Sequence, residues 1–228
     1  MSLGILIFPG AHGDKELLRV LDHGYGRKAR LIWNQETRLD GVELLFVPGG
    51  LPCKGSSQAS KCIQESQVID SLLEYADRGK LLVGIGNGFR LLCDTGLLPG
   101  NLRMNRSQRY ICRNTYIKPD NDLTPLTKRL SGDQAYRVPI ATGYGRYAAK
   151  EETLVHMRYQ DQILFRYCDR DARISEEMNA TGSVDNIAGI CNEKKNIFGI
   201  IPQPERAFFG NGEFGDGKGI FDSLLEFV

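Results

Sequence analysis

The chain has 228 residues, of which 41% are hydrophobic and 25% charged. These are ordinary proportions for a globular protein with room for one substantial core. A formal net charge of +1 gives no electrostatic reason to expect nucleic acid or an acidic membrane surface as a partner. No apolar run approaches the length of a membrane span. The opening residues, MSLGILIFPG, lack a basic region ahead of the apolar run. No secretion signal is read there, and a cytoplasmic location is expected.

The elements follow in order. Gly4–Phe8 reads as a buried first strand, ended by Pro9-Gly10. Leu17, Leu18 and Leu21 then recur at helical spacing from Asp14, and His23-Gly24 closes that helix. Ala29–Trp33 and Glu43–Val47 read as second and third strands, the latter ended by Pro48-Gly49-Gly50. Val68, Ile69, Leu72, Leu73 and Ala76 share one face of a helix stopped by Gly79. Leu81–Ile85 is a fourth strand. Apolar strands alternating with helices predict a parallel sheet covered on both faces.

The second half changes character. Tyr110–Ile117, Tyr136–Ile140, Ile163–Tyr167, Ile187–Cys191 and Ile197–Ile201 read as strands with few helices between them. They predict a mixed or antiparallel extension of the same sheet. A polar, glycine-rich stretch, Gly210–Gly219, is read as a loop before a last helix at Ile220–Phe227. No flexible linker, repeat or low-complexity tract divides the chain, so residues 1–228 are taken as a single domain.

The six cysteines (Cys53, Cys62, Cys93, Cys112, Cys168 and Cys191) form no CxxC pair. They are read as reduced thiols, mostly small buried residues, and no metal site is expected. The three histidines, His12, His23 and His156, are scattered along the chain.

The densest chemical information lies in Leu81–Leu92, LLVGIGNGFRLL. It reads as a strand, a tight turn peaking at Gly86, and a helix. In many hydrolases and amidotransferases the residue at such a peak is the nucleophile, yet glycine carries no reactive atom. Three turns fall at carboxyl ends of predicted strands, where open α/β sheets place their sites. They are Pro48-Gly49-Gly50, the turn around Gly86, and Pro202-Gln203-Pro204-Glu205-Arg206.

From these residues onward the chain resembles the class I glutamine amidotransferases, and within them the glutaminase subunits of phosphoribosylformylglycinamidine synthase. Matching stretches include VPGG at 47–50, NGFRLL at 87–92, GLLPGNL at 96–102, NRSQRYICR at 105–113, FRYCD at 165–169 and AGICNE at 188–193. The resemblance implies a flavodoxin-like amidotransferase fold, with a mostly parallel central sheet, helices on both faces and an antiparallel extension. It also assigns positions. Gly86 stands where the family has its nucleophilic cysteine, and Gln203 where it has the catalytic histidine. Glu205 stands where the family has the glutamate that orients that histidine. The family's AHGEG is here ATGYG, with Thr142 and Tyr144 at the histidine and glutamate positions. Backbone groups of Gly49, Gly50, Leu51 and Asn87 are the candidate oxyanion and pocket residues.

Glutaminase chemistry needs a thiolate to form a glutamyl thioester and an imidazole to move its proton. A neutral glutamine side chain does neither. The resemblance therefore implies a catalytically degenerate homologue that keeps a synthetase subunit as partner. A repurposed binding module for glutamine or another small molecule is the first alternative, and an active glutaminase the second. No cofactor is expected. Of the remaining thiols, Cys53 beside Lys54 lies nearest the predicted pocket. Arg106, Arg109 and Arg113 are too many charges for a core and suit a docking face.

Overall fold

Alternation along the first strand, β1 (Ser2–Ile7), divides the interior in two. Leu3, Ile5 and Ile7 enter one core, whereas Leu6 enters the other, because successive side chains leave a strand on opposite faces. The computed structural model describes residues 2–8, 10–50, 67–210 and 215–228. On the first face lie α1 (Asp14–Arg19), continued by a π-helical turn (Val20–Gly24), and the last helix, which starts at Gly217. They supply Leu17, Val20, Leu21, Ile220, Phe221 and Leu224 to that core. On the second face lie α2 (Val68–Asp77), α3 (Asn87–Asp94) and α4 (Glu151–Tyr159). These bury Val68, Leu72, Phe89, Leu92, Leu154 and Met157.

Between the two layers runs a sheet with nine strands among the described residues. Strands β2 (Ala29–Trp33), β1, β3 (Val42–Val47), β4 (Leu81–Ile85) and β11 (Ile197–Ile200) are adjacent in that order and parallel. Counting β11 as the fifth parallel strand, this is the flavodoxin-like order 2-1-3-4-5. Next to β11 the sheet turns antiparallel, through β10 (Ile187–Cys191), β9 (Ile163–Cys168), β6 (Ile111–Pro119) and β7 (Tyr136–Thr142). This half curls back on the molecule: the backbone N–H of Gln203, just past β11, donates to the Pro139 carbonyl on β7 at 2.9 Å. A separate ribbon pairs β5 (Asn101–Arg103) with β8 (Arg146–Ala148).

Two expectations need correction and one is made specific. The few helices expected in the second half include one full helix among the strands, α4. Of its nine residues only Leu154 and Met157 are buried, so its apolar stripe is too narrow to show as helical periodicity. The last helix, α5 (Gly217–Leu225), begins inside the stretch read as a loop. A Cβ at Gly217 would lie 2.1 Å from the Pro204 carbonyl oxygen, so this glycine serves close helix packing rather than chain freedom. Residues 211–214 of that stretch lie outside the described residues. Finally, Cys112 is exposed, whereas Cys93, Cys168 and Cys191 are buried as expected. Among the described residues no helix is long and apolar enough to cross a membrane, and no group of metal-ligating side chains assembles.

Candidate active site at the strand-helix elbow

Gly86 links β4 to α3 with φ 56° and ψ −112°, a backbone region that strains any residue with a side chain. Its N–H donates to the Ile200 carbonyl at 2.8 Å, which ties the turn to β11. The elbow geometry of a presented nucleophile is thus present. Space for the side chain is present as well. A Cβ built at Gly86 would have as its nearest neighbours the Gly49 Cα at 3.8 Å, Gln203 Nε2 at 3.9 Å and the Ile201 carbonyl oxygen at 3.9 Å. All three are ordinary van der Waals contacts. Gly88, two residues on, differs: a Cβ there would lie 1.9 Å from the Val47 carbonyl oxygen. It is glycine because α3 packs directly against the end of β3.

The structure brings Gly49, Gly86 and Gln203 together at the carboxyl ends of β3, β4 and β11. Gln203 Nε2 also lies 3.3 Å from a Cβ built at Gly49. Gln203 is 5% exposed, and its Oε1 is buried without a hydrogen-bond partner. Position 203 therefore faces position 86, as a proton-transfer partner must face a nucleophile, but both groups present are inert in acyl transfer. Asn87 starts α3 beside them.

Glu205 is placed by a short 3-10 turn, Pro204–Ala207. It is 3% exposed, and neither carboxyl oxygen has a hydrogen-bond partner. Glu205 makes no side-chain hydrogen bond to Gln203. Its Oε1 sits 3.3 Å from a Cβ built at Gly13, beside Pro48. Burial raises its pKa to about 8. Its own backbone N–H and Arg206 pull the other way too weakly to compensate, and Glu16 adds to the rise. At neutral pH the group is largely a neutral carboxylic acid.

Thr142 is buried, and its Oγ1 accepts the Tyr144 N–H at 3.0 Å. Its carbonyl accepts Asn105 Nδ2 at 2.7 Å, while Asn105 Oδ1 accepts the Gly145 N–H at 2.9 Å. Asn105 thereby clamps the ATGYG turn to the NRSQR segment. The clamp was not singled out from sequence, although its 1% exposure makes it the structural centre of that motif. Tyr144 reaches the elbow helix, with the Arg90 guanidinium 4.6 Å above its ring. Leu51, Cys53 and Lys54 lie outside the described residues. Burial pushes the Cys93 thiol far above its ordinary range, and those of Cys168 and Cys191 up to about 12, so none of the three is a thiolate nucleophile. Arg106, Arg109 and Arg113 are exposed.

Comparison with known proteins agrees with this geometry. The CobB/CobQ-like glutamine amidotransferase domain matches residues 2–212. Phosphoribosylformylglycinamidine synthase subunit PurQ of Salinibacter ruber is 36% identical over 225 residues, spanning 99% of this chain and 96% of that protein. Its counterpart in Bradyrhizobium diazoefficiens is 35% identical over 227 residues, spanning 99% and 97%. A chain in the structure of PurLQS from Thermotoga maritima superposes with a TM-score of 0.83 at 30% identity, over 99% of this chain and 98% of that one. A glutamine amidotransferase from the same organism shares the fold alone, at 11% identity and a TM-score of 0.60 over 90% of this chain and 76% of that one. The chain belongs to the class I glutamine amidotransferases, in the CobB/CobQ-like domain family and related to PurQ.

Proposed function

We propose that this chain is a PurQ-like subunit that no longer performs thioester glutaminase chemistry and serves as a non-catalytic or regulatory subunit beside a formylglycinamidine synthase-type synthetase. The observation that carries the reading is the elbow itself. It keeps the backbone turn, the free space at Gly86 and the facing side chain at position 203, while both reacting groups are absent. Acyl transfer needs the sulfur to attack the glutamine carboxamide, releasing ammonia, and then water to cleave the thioester. With Gly86 there is no atom to form the acyl bond. The Gln203 side chain itself has no pKa suited to taking the thiol proton or returning it to the leaving amine. Changes at Gly86, Gln203, Thr142 and Tyr144 together describe a site released from selection for this reaction, and a single engineered substitution would not produce them. The exposed arginines of the NRSQRYICR segment support retained docking, and PurLQS shows that a relative assembles with synthetase subunits. A cytoplasmic location, without nucleic acid, membrane or cofactor, fits this role.

A second reading, a repurposed small-molecule pocket, draws on three buried polar atoms without partners, the acceptor Gln203 Oε1 and the two oxygens of the Glu205 acid, one of which carries the proton. They suit a ligand that both donates and accepts hydrogen bonds. The alternative of an active glutaminase stands or falls on ammonia release. The test is ammonia release from glutamine by the purified chain, alone and with the synthetase that co-purifies with it. Association without release is expected. Release above a Glu205→Gln, Gln203→Ala control would overturn the loss of chemistry, and failure to recover any synthetase would overturn docking. In the doubly substituted Gly86→Cys, Gln203→His chain, the new thiol and imidazole face each other across the same gap. Rapid alkylation of that thiol by iodoacetamide near neutral pH is expected, and a thiol with ordinary reactivity would show that the frame has been lost as well.

A further inference from the structure

The ribbon of β5 and β8 sets Arg103 directly opposite Arg146. Side chains opposite each other on an antiparallel pair leave the same face, about 4.5–5.5 Å apart at Cβ, and like charges there repel. Neither guanidinium has an acidic partner among the described residues. Arg103 Nε donates to Asn101 Oδ1 at 3.1 Å, while Arg146 Nε is buried and donates to nothing. Both line a cavity of about 330 Å³ with Arg106, Glu176, Ser183 and Asp185. The two acids there are already taken: Glu176 pairs with Arg106 at 2.5 Å, and Asp185 with Arg158. The cavity thus carries excess positive charge, a juxtaposed arginine pair and an unanswered buried donor. A buried donor without an acceptor is costly, and a two-charge oxyanion removes both that cost and the repulsion. The arginine fork matches phosphate geometry with two parallel hydrogen bonds. The volume lies at the lower end of small-molecule sites and leaves room beyond a bare phosphate.

We propose that this cavity binds the phosphate group of a small phosphomonoester between Arg103 and Arg146. The site does not depend on the chemistry at Gly86. It is linked to the elbow helix through β5, which packs against α3, and through Tyr147, which lines the cavity and stacks on Phe89 of α3 at 6.0 Å between ring centroids.

The test is titration calorimetry at constant ionic strength, with ribose 5-phosphate, inorganic phosphate and ribose as probes. Saturable binding of ribose 5-phosphate, competition by inorganic phosphate and no heat from ribose are expected. Arg146→Met should weaken binding by about tenfold or more. Arg103→Met should do the same, and because Arg103 is exposed it tests the site even if Arg146→Met folds poorly. Arg38→Ala, at an exposed arginine whose ion pair with Asp40 is 4.0 Å long, should leave affinity unchanged. Absence of saturation by either phosphate probe up to about 10 mM would overturn the proposal, as would affinities equal to the parent's in both arginine variants. Binding of inorganic phosphate with exclusion of ribose 5-phosphate would overturn the phosphomonoester assignment.

Discussion

Replacing Glu205 by glutamine should change how stability depends on pH. In the folded chain burial raises the Glu205 pKa from 4.5 to about 8. Between those values the unfolded chain has lost its proton while the folded chain keeps it, so stability falls as pH rises. The contribution of the neutral acid is full below pH 4.5, declines from 4.5 to about 8, and is gone above that. At ~1.4 kcal/mol per pH unit the whole interval amounts to on the order of 5 kcal/mol. Glutamine has nearly the same shape and no such titration. The melting temperature of the parent should therefore drop relative to Glu205→Gln as pH rises from 5 to 9. For a chain of this size the divergence would be roughly 10 °C. Differential scanning calorimetry across that range, repeated by guanidinium denaturation, measures it. Parallel profiles for the two proteins would show that Glu205 is solvated or hydrogen-bonded in solution, and would refute the assignment of a neutral buried acid.

Other outcomes follow from the same geometry. Gly88→Ala should destabilise severely, by about 4 kcal/mol or more, because its Cβ would overlap the Val47 carbonyl oxygen at 1.9 Å; chemical denaturation would show it. Gly86→Cys should cost only about 1–3 kcal/mol, the strain of its positive φ, since the surrounding space is open. Mass-spectrometric mapping of alkylated thiols should find Cys112 modified well before Cys93, Cys168 and Cys191, because it alone of these four is exposed and the other three thiols are held protonated by burial.

The parallel half of the fold was legible because its strands are continuous apolar runs punctuated by glycine and proline. Ala29–Trp33 and Leu81–Ile85 have the same limits in sequence and structure, and so does Ile187–Cys191 in the antiparallel half. The helix α4 was not legible, since two buried residues in nine leave no stripe to detect. Cys112 looked like its buried companions because exposure at one end of β6 depends on what packs there, which no local pattern encodes. Of the candidate site, positions 86, 203 and 205 were singled out by the resemblance to the amidotransferase family. Their states were not. That Glu205 lacks any partner, and that Gln203 rather than an empty gap faces Gly86, depends on the meeting of segments remote in sequence at one end of the sheet.

The sequence by itself determined the alternation of strands and helices, the strand-helix elbow, and that glycine and glutamine stand at positions 86 and 203, since side-chain chemistry and local periodicity are properties of the chain. Tertiary structure decided what those residues experience. Burial turns Glu205 into a neutral acid, the curl of the antiparallel half joins Gln203 to Pro139, and strand pairing sets Arg103 against Arg146. Each depends on desolvation or on distances between segments remote in sequence, and these arise only when the chain closes on itself.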